Sequence, residues 1–297
     1  MKNYFFILFF FILGCSSLPE IEVPLNSNTS WGTQSMKYYE SLHFKVSAYS
    51  YENAIEVSKI SEEIYNRIMQ DLNLLSFRPK NPYPIIVYQD QEEYHRSTGY
   101  PGWSGGATVS IPLGSLLPAE RESLPRSIIL TYETILSPAI LSHEITHLVF
   151  NEFMEFSTRE DSSRFFWINE GLATYEENQT YQDWEQNEFA AITQRLVKEN
   201  IISLDRVMSF YPVYENQKIL GEYSYKNKTW RFSNIDIWYW QVSRLCGFMI
   251  ERKGKYNFSV LLQALKSGKE FQEALVEAYI GQWRNLQDLE REWKNTL

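Results

Sequence analysis

The chain is 297 residues long, with 28 Lys and Arg against 37 Asp and Glu and a formal net charge of −9. No run of Lys or Arg interrupts that acidity, which excludes a nucleic acid or an anionic membrane held through a basic patch. Its two cysteines are Cys15, at the end of an apolar leader, and Cys246, in an apolar helical pattern that suits a buried inert thiol, so no intrachain disulfide is expected.

Residues 1–19 carry one positive charge, Lys2, then an apolar run too short to span a bilayer, then Gly14-Cys15. This is the pattern of a signal peptide. Ile12-Leu13-Gly14-Cys15 resembles a bacterial lipobox. The resemblance implies a signal peptide over residues 1–14 and acylation of Cys15, leaving a lipoprotein of the bacterial envelope that meets the membrane through its lipid alone, facing the periplasm or the cell surface. Ser16 to Lys37 is rich in Ser, Asn, Thr and Pro, so residues 15–37 read as the acylated Cys and a flexible tether. The folded domain is expected over residues 38–297.

Within it, His43 to Val46 predicts a strand. Ile55, Ile60, Ile64, Ile68 and Leu72 then fall at helical spacing over Asn53 to Leu72, and Pro84 to Tyr88 is a short buried strand. That succession predicts a mixed sheet with a helix packed on it. The glycine-dense Gly99 to Gly106 lacks the Lys and the helix that a phosphate loop needs. Ala107 to Ile111 predicts another strand, ended by Pro112. His43 and His95 read as surface or structural residues.

The stretch from Ser137 to Glu177 carries the chemistry. Ser137 suits an N-cap, Pro138 suits the first helical position, and Leu136 and Leu141 stand where a hydrophobic staple would close. In the helix so begun, His143 and His147 are four residues apart and project from one face, able to share one metal ion. Glu144, beside His143, would face the metal's open position. The polar segment Asn151 to Arg164 reads as a helix end and a loop. Phe165 to Ile168 returns the chain to the core, and Asn169 can cap a second helix whose first turn carries Glu170. A carboxylate there is favoured in its ionised form by the helix dipole. A catalytic zinc takes three protein ligands and a water, and Glu170 is the preferred third ligand.

His143-Glu144-x-x-His147 followed by Asn169-Glu170-Gly171-Leu172-Ala173 resembles the gluzincin zinc metallopeptidases, most closely the compact bacterial peptidase-MA-like domains. The resemblance implies a zincin-like α+β fold. An N-terminal mixed sheet with helices, residues 38–155, and an all-helical C-terminal lobe, residues 156–297, would stand on either side of the active-site helix. It further implies Zn²⁺ held by His143, His147 and Glu170, with Glu144 as general base. Where thermolysin has an Asp one turn after the ligand Glu, this chain has Thr174, which leaves Glu177 and Thr174 as candidates to orient a ligand. By the same resemblance the strand at 107–111 would border the cleft and pair with substrate backbone; the alternative is an internal hairpin strand.

Beyond Glu170 the chain reads as wholly helical, with helical periods over Trp184 to Lys198, Ile235 to Glu251, Asn257 to Leu265, Glu270 to Ala278 and Leu286 to Leu297. Trp238, Tyr239 and Trp240 suit a core or a cleft lining. Related gluzincins place a Tyr or His donor at the oxyanion, and the resemblance carries that role to Tyr239, with Tyr223 and Tyr225 in reserve. The expected activity is zinc-dependent hydrolysis of a peptide or protein substrate outside the cytoplasm. The alternatives are a non-catalytic zinc-binding lipoprotein that holds a peptide or protein in the envelope, and an interaction protein whose histidine motif is accidental.

Overall fold

The computed structural model describes residues 35–100, 105–111, 114, 127–180, 198–210, 217–225 and 228–297. The leader with Cys15, the tether as far as Gln34, and the helix expected over Trp184 to Lys198, except Lys198 itself, lie outside the described residues.

The chain is α+β. Its main sheet has five strands in the order β1-β2-β3-β5-β4: β1 (Lys37–Glu40), β2 (Phe44–Ala48), β3 (Tyr83–Tyr88), β4 (Gly106–Ser110) and β5 (Ser127–Tyr132). The central β2, β3 and β5 run parallel, and β1 and β4 close the two ends antiparallel to their neighbours. Alternation makes β2 a strand, since Phe44, Val46 and Ala48 are fully buried while Lys45 and Ser47 are half-buried. All six residues of β5 are buried, as a strand between two neighbours in a covered sheet requires. Helix α1 (Tyr51–Asp71) crosses between β2 and β3, its first turn capped by Ser50 Oγ, which accepts from the Asn53 N–H at 3.0 Å. The short α2 (Gln91–Thr98) follows β3.

Alternate strand residues divide the buried side chains into two sets. Phe44, Val46, Ile85, Val87 and Ile129 join the main core beneath α1 and the helix α3 (Pro138–Met154). A smaller tyrosine-rich core, formed by Tyr88, Tyr94, Tyr100 and Tyr132 with Ala107, Ile128 and Leu130, lies on the opposite face. The strand at Gly106–Ser110 is the last in the order of the described sheet and pairs, among the described residues, with β5 alone, which makes it an edge strand of that sheet.

After α3, the polar segment read as a loop instead contains a helix, α4 (Arg159–Arg164). Thr158 and Asp161 form a reciprocal capping box there, with Asp161 N–H to Thr158 Oγ1 at 3.0 Å and Thr158 N–H to Asp161 Oδ2 at 3.2 Å. Two satisfied N-terminal donors offset the poor helix propensity of Ser162 and Ser163. Helix α5 (Phe166–Thr180) follows at once and packs between α3 and α7 (Asn234–Gly247).

The C-terminal part is not all-helical. Besides α6 (Leu204–Ser209), α7 with its π-turn (Phe248–Arg252), α8 (Lys255–Lys266), α9 (Phe271–Ala278) and α10 (Leu286–Lys294), it contains an antiparallel pair, β6 (Ile219–Tyr225) and β7 (Lys228–Ser233). The sequence there alternates aromatic or β-branched residues with polar ones, as in Thr229-Trp230-Arg231-Phe232. Strand propensity prevails over the helical expectation because no apolar stripe of period 3.6 opposes it. Among the described residues no helix is long and apolar enough to cross a membrane.

Candidate metal centre

Helix α3 starts as its sequence requires: Ser137 Oγ accepts from the Ile140 N–H at 3.3 Å and Pro138 occupies the first turn. It is buried on nearly every side, so the imidazoles of His143 and His147 open into the interior between α3 and α5. Their Nε2 atoms are 3.1 Å apart. Glu170, from α5, brings Oε2 to 3.8 Å from the first and 3.7 Å from the second. The other nitrogen of each ring is engaged as well. His143 Nδ1 faces Glu177 Oε2 at 3.0 Å, and His147 Nδ1 faces Asn169 Oδ1 at 2.9 Å.

These contacts test whether the residues suit a metal. An N–H at each Nδ1, donated to the oxygen beside it, leaves both Nε2 atoms as lone pairs directed at one another across 3.1 Å. Such an arrangement calls for a cation between them. Two nitrogens bound to one tetrahedral ion at about 2.0–2.1 Å lie about 3.3 Å apart, close to the spacing found. His143, His147 and Glu170 therefore could hold a metal ion, and among the described residues no other His, Cys, Asp or Glu cluster could.

The proton affinities agree with a site built around positive charge. Burial lowers the His143 pKa, but the Glu177 hydrogen bond and the charges of Glu177, Glu144 and Glu170 outweigh it and hold it up at about 9. Burial and the neighbouring His143 push His147 down to about 3. Burial likewise pushes Glu170 up to about 8; the His143 charge and the influence of the nearby Tyr239 hydroxyl pull the other way, and Glu144 and Glu177 add to the rise. Without a cation, protons neutralise this cluster.

Glu170 thus differs from expectation in one respect. Helix α5 begins at Phe166, so Glu170 stands beyond the first turn and Asn169 is not the cap. Desolvation there exceeds any help from the helix dipole. Asn169 instead accepts from His147, an orienting contact that the sequence reading missed; of the two orienting candidates, Glu177 is engaged with His143, while the Thr174 hydroxyl is buried with no hydrogen-bond partner among the described residues.

Glu144 is buried beside the cluster, its pKa raised by burial despite the opposing influence of His143 and of Thr108. The Thr108 Oγ1 donor lies 2.7 Å from Glu144 Oε2 and 3.0 Å from the Glu144 carbonyl oxygen. Its strand β4 also places Gly106 against the same side chain, where a Cβ would sit 3.3 Å from Glu144 Oε1 and 3.2 Å from Ile140 Cγ2. A glycine keeps that oxygen uncrowded. Gly171 does similar work on the other flank: a Cβ there would lie 2.7 Å from Cys246 Sγ and 2.8 Å from the Val242 carbonyl oxygen. Its absence lets α7 approach α5 and brings Tyr239 near the Glu170 carboxylate.

His43 is buried, pairs with Glu62 at 2.7 Å and stacks on Tyr65. The His95 ring contacts the Tyr100 carbonyl. Cys246 is a free, buried thiol whose pKa desolvation raises. Tyr223 and Tyr225 belong to β6.

The fold and the site together define an α+β protein with an internal two-histidine, one-carboxylate cluster able to hold a metal ion. Comparisons with protein-family models, with curated proteins and with solved structures found no match to this chain.

Proposed function

We propose that the chain is a zinc-dependent peptidase of the gluzincin type, with a zincin-like fold, acting outside the cytoplasm as a lipid-anchored envelope protein. The observation that carries this reading is the carboxylate of Glu144, fixed by Thr108 at 2.7 Å, beside a cluster that offers three ligands among the described residues. A purely structural zinc site is closed by four protein ligands and has no need of such a neighbour. The donors fit zinc: two imidazole nitrogens and one carboxylate oxygen, each ring oriented by its own acceptor.

Zinc bound there supplies Lewis acidity toward a scissile carbonyl and lowers the pKa of water to about 7. The protein's own groups do the remaining work. Glu144 keeps Oε2 on Thr108, and its Oε1, beside Gly106, takes the proton of the attacking water and delivers it to the leaving amine. Tyr239, whose hydroxyl stands at Glu170, is the proposed donor to the oxyanion. The edge strand β4 offers main-chain donors and acceptors to an extended peptide, which would add as a sixth strand next to Glu144.

The test is metal content followed by turnover, on the full-length protein. Zinc-supplied wild type should hold about one zinc per chain, and Glu170→Gln distinctly less. Glu144→Gln should keep the metal and lose hydrolysis of a mixed-peptide substrate. A folded wild type that takes up no zinc ends the metal-centre reading; undiminished hydrolysis by Glu144→Gln ends the assignment of the base.

A further inference from the structure

A second polar network lies directly behind the metal centre, and the chemistry proposed above makes no use of it. Arg67, on α1, reaches between α3 and α5. Its Nε donates to Glu176 Oε2 at 3.2 Å, and its Nη2 donates to the Glu176 carbonyl at 3.1 Å and to Ser142 Oγ. Ser142 Oγ in turn donates to the Glu176 carbonyl at 3.0 Å. The Glu176 side chain is completely buried, and that of Arg67 is about one-third exposed.

The positions of these partners in the sequence give the network its meaning. Ser142 immediately precedes His143. Glu176 immediately precedes Glu177, the acceptor that orients the His143 ring. One guanidinium therefore grips α3 and α5 at the level where His143 and Glu177 meet. Apolar side chains could hold two helices together at this depth, and a buried ion pair is commonly no more stabilising than they are. Apolar packing nevertheless specifies the register of two helices less sharply than directional hydrogen bonds do, since it has no fixed donor and acceptor positions. A planar fork bound to a hydroxyl, a carbonyl and a carboxylate has them.

We infer that Arg67 is a positioning residue for the metal centre: by locking the register of α3 against α5 it keeps Glu177 on His143, and so sets metal affinity without touching a ligand. The inference rests on the metal-centre reading above and adds a residue to it that is distant in sequence from every ligand. Loss of an outer contact that orients a metal-binding histidine typically weakens binding about 10- to 100-fold. Lysine would restore the charge but not the fork.

The test measures Zn²⁺ affinity by competition with a chromophoric chelator, and the visible spectrum of the Co²⁺ form, on full-length wild type, Arg67→Met, Arg67→Lys and Ser142→Ala, each checked for folding by circular dichroism. Arg67→Met should bind Zn²⁺ at least about tenfold more weakly and shift the Co²⁺ bands. Arg67→Lys should recover only part of the loss. Ser142→Ala should show a smaller loss, and the Arg67→Met/Ser142→Ala pair no more than Arg67→Met alone, because the two act through one network. A general packing role would lower stability and leave affinity and spectrum where they were. Folded variants that bind Zn²⁺ within twofold of wild type, with an unchanged Co²⁺ spectrum, overturn the inference while the metal centre stands. If Arg67→Met does not fold, Arg67→Lys and Ser142→Ala decide by the same criterion. A wild type that binds neither ion removes the metal centre and the inference with it.

Discussion

Gly171→Ala provides the sharpest test of how α5 and α7 meet. In an ordinary helix interior this change is favourable by about 1 kcal/mol, because alanine gives up less conformational freedom than glycine. Here the new Cβ would lie 2.7 Å from Cys246 Sγ, 2.8 Å from the Val242 carbonyl oxygen and 3.0 Å from the Val242 carbonyl carbon. Normal contact is about 3.5 Å, so α7 must retreat by roughly 0.7 Å. Two of the three obstructing atoms are helix backbone, which no rotamer change can move aside, and this places the cost near the upper end of the overpacking range, about 3 kcal/mol. The net expectation is a loss of about 2 kcal/mol, read by urea unfolding of the metal-free protein. Cys246→Ala introduced beside it removes the sulfur but not the carbonyl and should restore only part of the loss. Gly171→Ala as stable as wild type, or more stable by the propensity term, would refute the close approach and with it the account of how Tyr239 reaches Glu170.

The other predictions concern charge. In the metal-free protein His143 is held up at about 9 and Glu170 at about 8, so both carry protons at pH 7 that a metal must displace. Zinc affinity should therefore rise about tenfold per released proton for each pH unit from 6 towards 8. Calorimetry in buffers of different ionisation enthalpy should find one to two protons released at pH 7, and none released would refute the protonated cluster. A second case is Glu176, which burial and the charge of Asp71 raise from 4.5 to about 7 against the pull of Arg67. The folded state then holds this proton more tightly than the unfolded chain does, so the contribution to stability is complete below pH 4.5 and is lost as pH rises through 7. Glu176→Gln cannot ionise and should flatten the fall in stability between pH 5 and 8, by an amount of the order of 2 kcal/mol. An unchanged slope would show that Glu176 is not the group responsible.

What the sequence discloses is what depends on neighbours along the chain. The His143 and His147 pair, the cap at Ser137 and the amphipathic C-terminal helices from Ile235 onward are local patterns, and the structure forms helices over each of them. Asn169 misleads because Asn followed by an acid is a common helix start. The helix actually begins three residues earlier, where Phe166 stacks on Trp238 with ring centroids 5.6 Å apart and Trp167 meets Phe271 edge-on at 5.0 Å. Tertiary packing, not capping, sets that boundary. A histidine ligand nonetheless requires an acceptor at its second nitrogen, and a search for one near Glu170 would have found Asn169. Thr108 offers no comparable signal: a threonine in a strand is ordinary, and only the fold brings it to Glu144 from 36 residues away. Arg67 is hidden in the same way on an amphipathic helix, where a lone arginine reads as solvated.

Every proposed ligand and every oriented ring partner comes from the two adjacent helices α3 and α5, whereas Arg67, Thr108 and Tyr239 come from α1, β4 and α7. The helix pair is therefore not a portable module. Grafted into a foreign bundle, it would present the right ligands at the right spacing but leave Glu176 buried without its guanidinium, Glu144 free to rotate and Glu170 without Tyr239 beside it. A transplant meant to reproduce the centre has to carry three single residues from three distant elements, and those are the positions that a motif search leaves behind.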